Sequence, residues 1–66
     1  MKIVDSNGKE HDVLSIKKIV HQIADKVNNT TLDVEYVEVV INGKTRNWTE
    51  WIPLEDFKLK NPKIEI

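Results

Sequence analysis

One run of eleven residues, Asn47-Trp48-Thr49-Glu50-Trp51-Ile52-Pro53-Leu54-Glu55-Asp56-Phe57, holds both tryptophans, one of the two prolines and the only phenylalanine of the chain. The fold is anchored there, because aromatic side chains dominate what a small core can bury. Asn42-Gly43 stands just before the run as a turn signal. At its far end Pro53 removes a ladder donor, and Leu54-Glu55-Asp56-Phe57-Lys58 can form one or two helical turns with acidic residues early. The segment therefore reads as a strand that leaves a hairpin, stops at a proline and turns a corner into a short helix.

With 66 residues the chain makes a single domain, 1–66. A domain of this size buries only about 60% of the surface its unfolded chain exposes, so the core must be compact. Without cysteine there is no disulfide framework, no thiolate zinc site and no thiol nucleophile, which suits a reducing compartment; the cytoplasm is the expected location. A hydrophobic share of 39% beside 32% charged residues fits a soluble domain, and no apolar run reaches the length of a membrane span. Met1 to Asp5 runs straight into polar residues, so no signal peptide is expected, and no membrane partner.

Ten basic and eleven acidic residues leave a formal charge of −1. Nothing in that balance draws the molecule to phosphate. Lys17 with Lys18, Asp33 with Glu35 and Glu38, and Lys58, Lys60 and Lys63 read as solvated faces. Asn28, Asn29 and Asn47 each begin an N-glycosylation pattern that no secretion signal supports.

The only glycines sit in two Asn-Gly pairs, Asn7-Gly8 and Asn42-Gly43. Both predict two-residue type I′ hairpin turns, which need positive φ at both central residues. Lys2 to Asp5 should then pair with a strand beginning near Lys9, and Leu32 to Ile41 with Lys44 to Ile52. The second hairpin is well supported, since Val34, Tyr36, Val37, Val39, Val40 and Ile41 suit a pleated surface. If Ile41 faces Lys44, Val37 lies opposite Trp48 and Val34 opposite Trp51. Residues three apart on a strand point to opposite faces, so one indole is core and the other lies at the surface unless a bulge intervenes. Trp51 is placed inside, near Val34 and Val40, and Trp48 nearer the outside. The same register sets Glu35 against Glu50, a like-charge pair that hints at a bulge or a splayed strand end. Asn61-Pro62 closes the helical turns, and Lys63 to Ile66 alternates as a final strand.

Val13 to Val27 fits two templates. Ile16, Ile19, Val20, Ile23, Ala24 and Val27 share a helical face with Ser15 as N-cap, yet all but Ala24 are β-branched, and Leu14, Ile16 and Val20 also share one face of a strand. Periodicity favours helix and composition favours strand.

The run Asn47-Trp48-Thr49-Glu50-Trp51-Ile52-Pro53 resembles the chromo-barrel and Tudor-like branch of the SH3-like small barrels. There a hairpin ends in an aromatic run of the form N-W-D-E-W-V-P and passes into a short helix. The resemblance implies that Leu32 to Ile41 is the preceding strand and Val13 to Lys18 an earlier one. The expected fold is accordingly all-β: a small SH3-like barrel of about five strands with a short helix before the last. The alternative is α+β, with a helix over 15–27 on an antiparallel sheet. The family commonly binds methylated lysine in an aromatic cage by cation–π attraction, and Trp48 corresponds to a usual cage wall. Ile41 and Lys44 stand where the family has further aromatics, leaving Tyr36 and Phe57 as the other rings; the resemblance implies a barrel more than it implies a cage.

Trp48 is the residue singled out for partner contact, with Arg46 on the same strand face and Tyr36 as a further ring at the rim; a tryptophan covering the barrel rim with a solvated arginine stacked on it is the structural alternative. His11 and His21 lie too far apart in sequence for a local ligand pair and read as surface histidines, so no metal and no cofactor is expected. Ser6 and Ser15 lack an activating motif, and the carboxylates lack a pocket to separate their pKa values, so no catalytic residue is assigned. The expected role is a non-enzymatic binding or adaptor module for a protein or peptide. A nucleic-acid-binding barrel is the alternative, disfavoured by net charge. Cysteine-free single domains of this size are common among accessory proteins of prokaryotes and their mobile elements.

Overall fold

The computed structural model describes residues 1–66 as a four-stranded antiparallel sheet with one helix. The strands are β1 (Lys2–Val4), β2 (Glu10–Asp25), β3 (Thr30–Asn42) and β4 (Asn47–Pro53), followed by α1 (Leu54–Lys60). They pair in sequence order, β1-β2-β3-β4, and curl into a half-barrel whose concave side α1 covers. No helix is long and apolar enough to cross a membrane.

Val13 to Val27 resolves as strand and turn, not helix. Its β-branched residues form a pleated surface, which suits their restricted side-chain rotamers, and the segment makes twelve cross-strand pairs with β3. A β-bulge between Val13 and Ser15 leaves Leu14 as the unpaired extra residue. The bulge changes which parity faces inward, so Val13 and Ile16, three apart, both reach the concave side.

The core is small: Ile3, Val13, Val37, Val39, Ile41, Ile52, Leu54 and Phe57 are its buried hydrophobic residues. Phe57, wholly buried, projects from α1 against β3 and β4. None of the buried residues falls between Val13 and Val37, so the distal half of the β2–β3 hairpin is a two-stranded arm outside the core. The radius of gyration of 13.7 Å exceeds the roughly 11 Å of a compact chain this long. The long axis, 44 Å against 26 and 19 Å, is set by that arm.

Asn61 joins the two ends of the fold. Its side-chain amide donates to the carbonyls of Val4 (2.9 Å) and Phe57 (3.0 Å), and its Oδ1 accepts from the Val4 N–H at 2.7 Å. The buried amide thus pairs with β1 as a strand residue would, while closing the last turn of α1. That occupies the β1 edge at Val4, where a further strand would begin. The expected final strand over Lys63 to Ile66 does not form; only Ile64 returns to pack on the core.

Neither Asn-Gly pair makes the two-residue turn. Val4 pairs with Glu10, so Asp5–Lys9 is a longer loop in which only Gly8, at φ 83°, has positive φ. Asn42 pairs with Asn47, leaving Gly43 to Arg46 as the connection. Gly43 is required there because a Cβ would press on the Arg46 carbonyl and lie 2.6 Å from Cζ3 of Trp48. The longer loop shifts the register. Ile41 now faces Trp48, Val37 faces Ile52, Glu38 faces Trp51 and Glu50 faces Val39, so the expected Glu35–Glu50 repulsion does not arise.

Removing the Phe57 ring is expected to cost about 3–5 kcal/mol. A domain of this length has only roughly 3–10 kcal/mol in total, so Phe57→Ala should lose its cooperative urea transition at 25 °C. Asn61→Ala orphans the Val4 amide and carbonyl at about 1–3 kcal/mol each and should lower the urea midpoint without changing the helix content of the folded state.

Candidate partner-binding face

Pairing parity decides which side chains share a face. Val37, Val39 and Ile41 of β3 point to the concave side with Trp48, Glu50 and Ile52 of β4. The opposite, convex side receives Tyr36, Glu38 and Val40 with Thr49 and Trp51, and beyond the bulge Ile19, His21 and Ile23 of β2 opposite Tyr36, Val34 and Leu32.

Trp51 was expected inside and is not; 48% of its surface is exposed on the convex side. The concave positions of β4 go to residues of Ile52's parity, because Leu54 and Phe57 must follow Ile52 onto the same side, and Phe57 fills the volume an indole would need. On the convex side Trp51 lies between two rings, His21 at 5.5 Å and Tyr36 at 5.6 Å between centroids. Its indole N–H donates to Glu38 Oε2 at 2.9 Å, which fixes the ring's orientation. Ile23 and Leu32, 42% and 52% exposed, extend the apolar surface along the arm. The result is a continuous aromatic and aliphatic face with a polar edge at Glu38 and Lys17.

The three residues singled out from sequence do not meet. Tyr36 belongs to the convex cluster. Trp48 stands at the concave rim, where its indole N–H donates to Glu50 Oε2 at 2.7 Å and its ring meets His11 edge-on at 6.2 Å. Arg46 is in the β3–β4 loop rather than on the strand, exposed and free of hydrogen-bond partners. Trp48 and Tyr36 lie on opposite sides of the sheet and cannot wall one cage.

His11, expected at the surface, is half-buried as a residue and turns its imidazole inward, with only 8% of the side chain exposed. Its Nε2 hydrogen-bonds Asp5 Oδ2 at 2.8 Å. Asp5 Oδ1 accepts the N–H groups of Asn7 and Lys9, both at 2.9 Å, so the carboxylate shapes the β1–β2 loop and holds the imidazole together. No local spacing signals this pair; only the alternation of Ile3, Asp5, His11 and Val13 on one face of the first hairpin does. Donor atoms of Asp5, His11 and Glu50 come within 4.8 Å of one another, a spacing that a metal ion could bridge. Each carboxylate is already an acceptor, Asp5 for three donors and Glu50 for the Trp48 indole, and the cluster closes the rim of the half-barrel as it stands. No serine, threonine or other nucleophile is hydrogen-bonded to the imidazole; Ser6 instead donates to Asp56 at 3.1 Å.

The His11 hydrogen bond, followed by the Lys9 backbone N–H, holds the Asp5 carboxyl below its ordinary value of 3.8, against a smaller opposing effect of burial. A depressed folded-state pKa stabilises the fold above the unfolded value, and that contribution disappears as pH falls through the folded value. The stability advantage of the wild type over Asp5→Asn should therefore be full at pH 5 to 7 and shrink progressively as pH falls below 3.8, read as the difference between their urea midpoints.

A solvent-open cleft between the end of β4, the start of α1 and the outer edge of β3 carries Asp33, Glu35, Glu55 and Asp56. It gives that side of the molecule a negative field. No protein-family model, curated protein or solved structure matches the chain.

Proposed function

We propose that this chain is a small non-enzymatic binding module that grips a partner polypeptide with the convex face of its sheet. The observation that carries this reading is the Trp51 cluster: an indole half exposed, oriented by Glu38 and flanked by Tyr36 and His21, set in a run of exposed aliphatic side chains. Interface hot spots favour Trp and Tyr in such settings, since a rigid ring brings large area at little entropic cost. Exposed aliphatics alone are ordinary, but a contiguous patch with a polar rim marks an interaction surface.

The curled antiparallel meander leading from an aromatic hairpin strand into a short helix also supports the finer reading of the fold as an SH3-like small barrel, open where a fifth strand would close it. The resemblance to the chromo-barrel and Tudor-like branch supports binding as the role. It does not supply the ligand, because a methyl-lysine cage would need rings that converge on Trp48, and its ring neighbour is His11. A cysteine-free chain of this composition suits the cytoplasm.

Nucleic acid is the less favoured ligand. The convex face offers Lys17 and His21 against Glu38 and Asp25, and the adjoining cleft is acidic, so no basic track follows a phosphate backbone.

Panning a displayed random-peptide library on the folded chain tests the proposal. Recovered peptides should lose about 30-fold or more in affinity on Trp51→Ala, the scale of a hot-spot residue, and little on Trp48→Ala. Binding that ignores Trp51, or oligonucleotide binding that falls steeply with salt, would overturn it.

A further inference from the structure

We infer that two copies of this chain pair through the free edge of β2, in an antiparallel register centred on His21. β2 runs from Glu10 to Asp25, but β1 covers only Glu10 to Asp12, so the edge beyond Val13 is unpaired. Proteins guard such edges with charge, proline, bulges or shortness. Every other open edge here is guarded. β4 carries Glu50 in its middle and ends in Pro53, and the outer edge of β3 beyond β4 carries Asp33 and Glu35 beside Glu55, Asp56 and Lys58 of α1. From Ile19 to Ala24 β2 has no proline, no glycine and no formal charge, and three of its six residues are β-branched. That is the composition of a strand-pairing segment. The arm that carries it has no buried residue of its own, and an isolated two-stranded ribbon is marginally stable in water.

The occupant is a second copy because the edge is complementary to itself. Two antiparallel copies of one strand are related by a two-fold axis perpendicular to the sheet, which keeps each face on its own side. Residues can therefore oppose only residues of the same parity. With His21 on the axis, Lys17 faces the partner's Asp25 and Ile19 faces the partner's Ile23, so both ends of the paired segment join opposite charges and its middle joins aliphatics. Centring on Gln22 instead sets Lys18 against the partner's Lys26, and centring on Val20 sets Lys17 against the partner's Ile23. The segment Lys17–Asp25 clears β1, so the pairing needs no rearrangement of the half-barrel. It places both Trp51 clusters on one side of a continuous sheet, although the pairing does not depend on the binding role proposed for them.

The chain contains no cysteine, so single introduced thiols report the register directly. Directly opposed residues of antiparallel strands lie about 4.5–5.5 Å apart at Cα, within disulfide reach. In a glutathione redox buffer His21→Cys should convert to a disulfide-linked dimer, and so should the double variant Ile19→Cys/Ile23→Cys, while Ile23→Cys alone should form no disulfide-linked dimer. Sedimentation of the unmodified protein should give twice the 7.7 kDa chain mass at raised concentration, and Lys17→Glu should weaken the association at least tenfold. A chain that stays at 7.7 kDa up to millimolar concentration overturns the inference, as does equal crosslinking at positions 21 and 23. A chain that stays monomeric at millimolar concentration and still binds Trp51-dependent peptides would sink the pairing and leave the binding role standing, and a dimer that binds no such peptide would do the reverse.

Discussion

Asn61 carries more of this structure than its size suggests. Its amide reaches Val4, 57 residues earlier, and so ties the first strand to the last helix. In a domain with eight buried hydrophobic residues there is little else to hold those elements in place. β1 has three residues, and without the clasp the Val4 amide and carbonyl would lose their partners and Ile3 its hold on the core. What depends on β1 depends on Asn61 in turn: the Asp5 loop, the imidazole that Asp5 holds, and the rim where Trp48 rests edge-on against that imidazole. Closing a loop that spans nearly the whole chain is entropically costly, but the cost rises only with the logarithm of loop length. The fold accepts that cost once and spends no residues on a fifth strand.

A second decision is made at Leu14. One extra residue in β2 lets Val13 and Ile16 both face the core, and it sends Ile19, His21 and Ile23 to the side away from the helix. Without the bulge, the outer strand would present Lys18, Val20 and Gln22 beside Tyr36 and Trp51. The aromatic face is thus a product of a backbone irregularity as much as of the aromatic residues. Its exposure follows from volume: Phe57 and Ile52 exhaust the space under β4, and an indole has nowhere to go but outward.

Much of the architecture was legible in the sequence, and the errors have local causes. The antiparallel pairing of β3 with β4, the stop at Pro53 and the short helix after it follow from β-branching, alternation and proline chemistry, whereas Val13 to Val27 fitted helix and strand templates alike and was decided by pairing with β3. The opposite orientation of the two tryptophans follows from their spacing. Which one faced inward did not, because it rests on which side of β3 is core: the loop at Gly43 shifts the register by an even step, which leaves Trp51 on the side of Val34 and Val40, and it is the packing of Phe57 on Val37, Val39 and Ile41 that makes the other side the core. The Asp25–Thr30 turn was missed because it uses no glycine; Asn29 takes the left-handed conformation at φ 52° while Asp25 accepts the Val27 and Asn28 amides. His11 looked like a surface residue because its partner Asp5 is a loop-forming aspartate, and neither residue alone signals burial. The convex face was half visible, in Tyr36, Val34 and Val40, but the contribution of His21 needed the bulge, and that of Trp51 needed the core to be assigned to the other side of β3.

The bare arm has a consequence for how such a chain can vary. No core contact fixes its length, so residues can be added to or removed from both strands near its base without disturbing the half-barrel. The alternation of side chains imposes one condition. Equal changes on the two strands in steps of two keep every aliphatic side chain on the face it now occupies, whereas a one-residue slip in either strand turns the distal half of the face over. A lineage of such proteins could therefore differ freely in arm length while obeying a strict even-number rule, and the reach of the convex face would be its adjustable dimension.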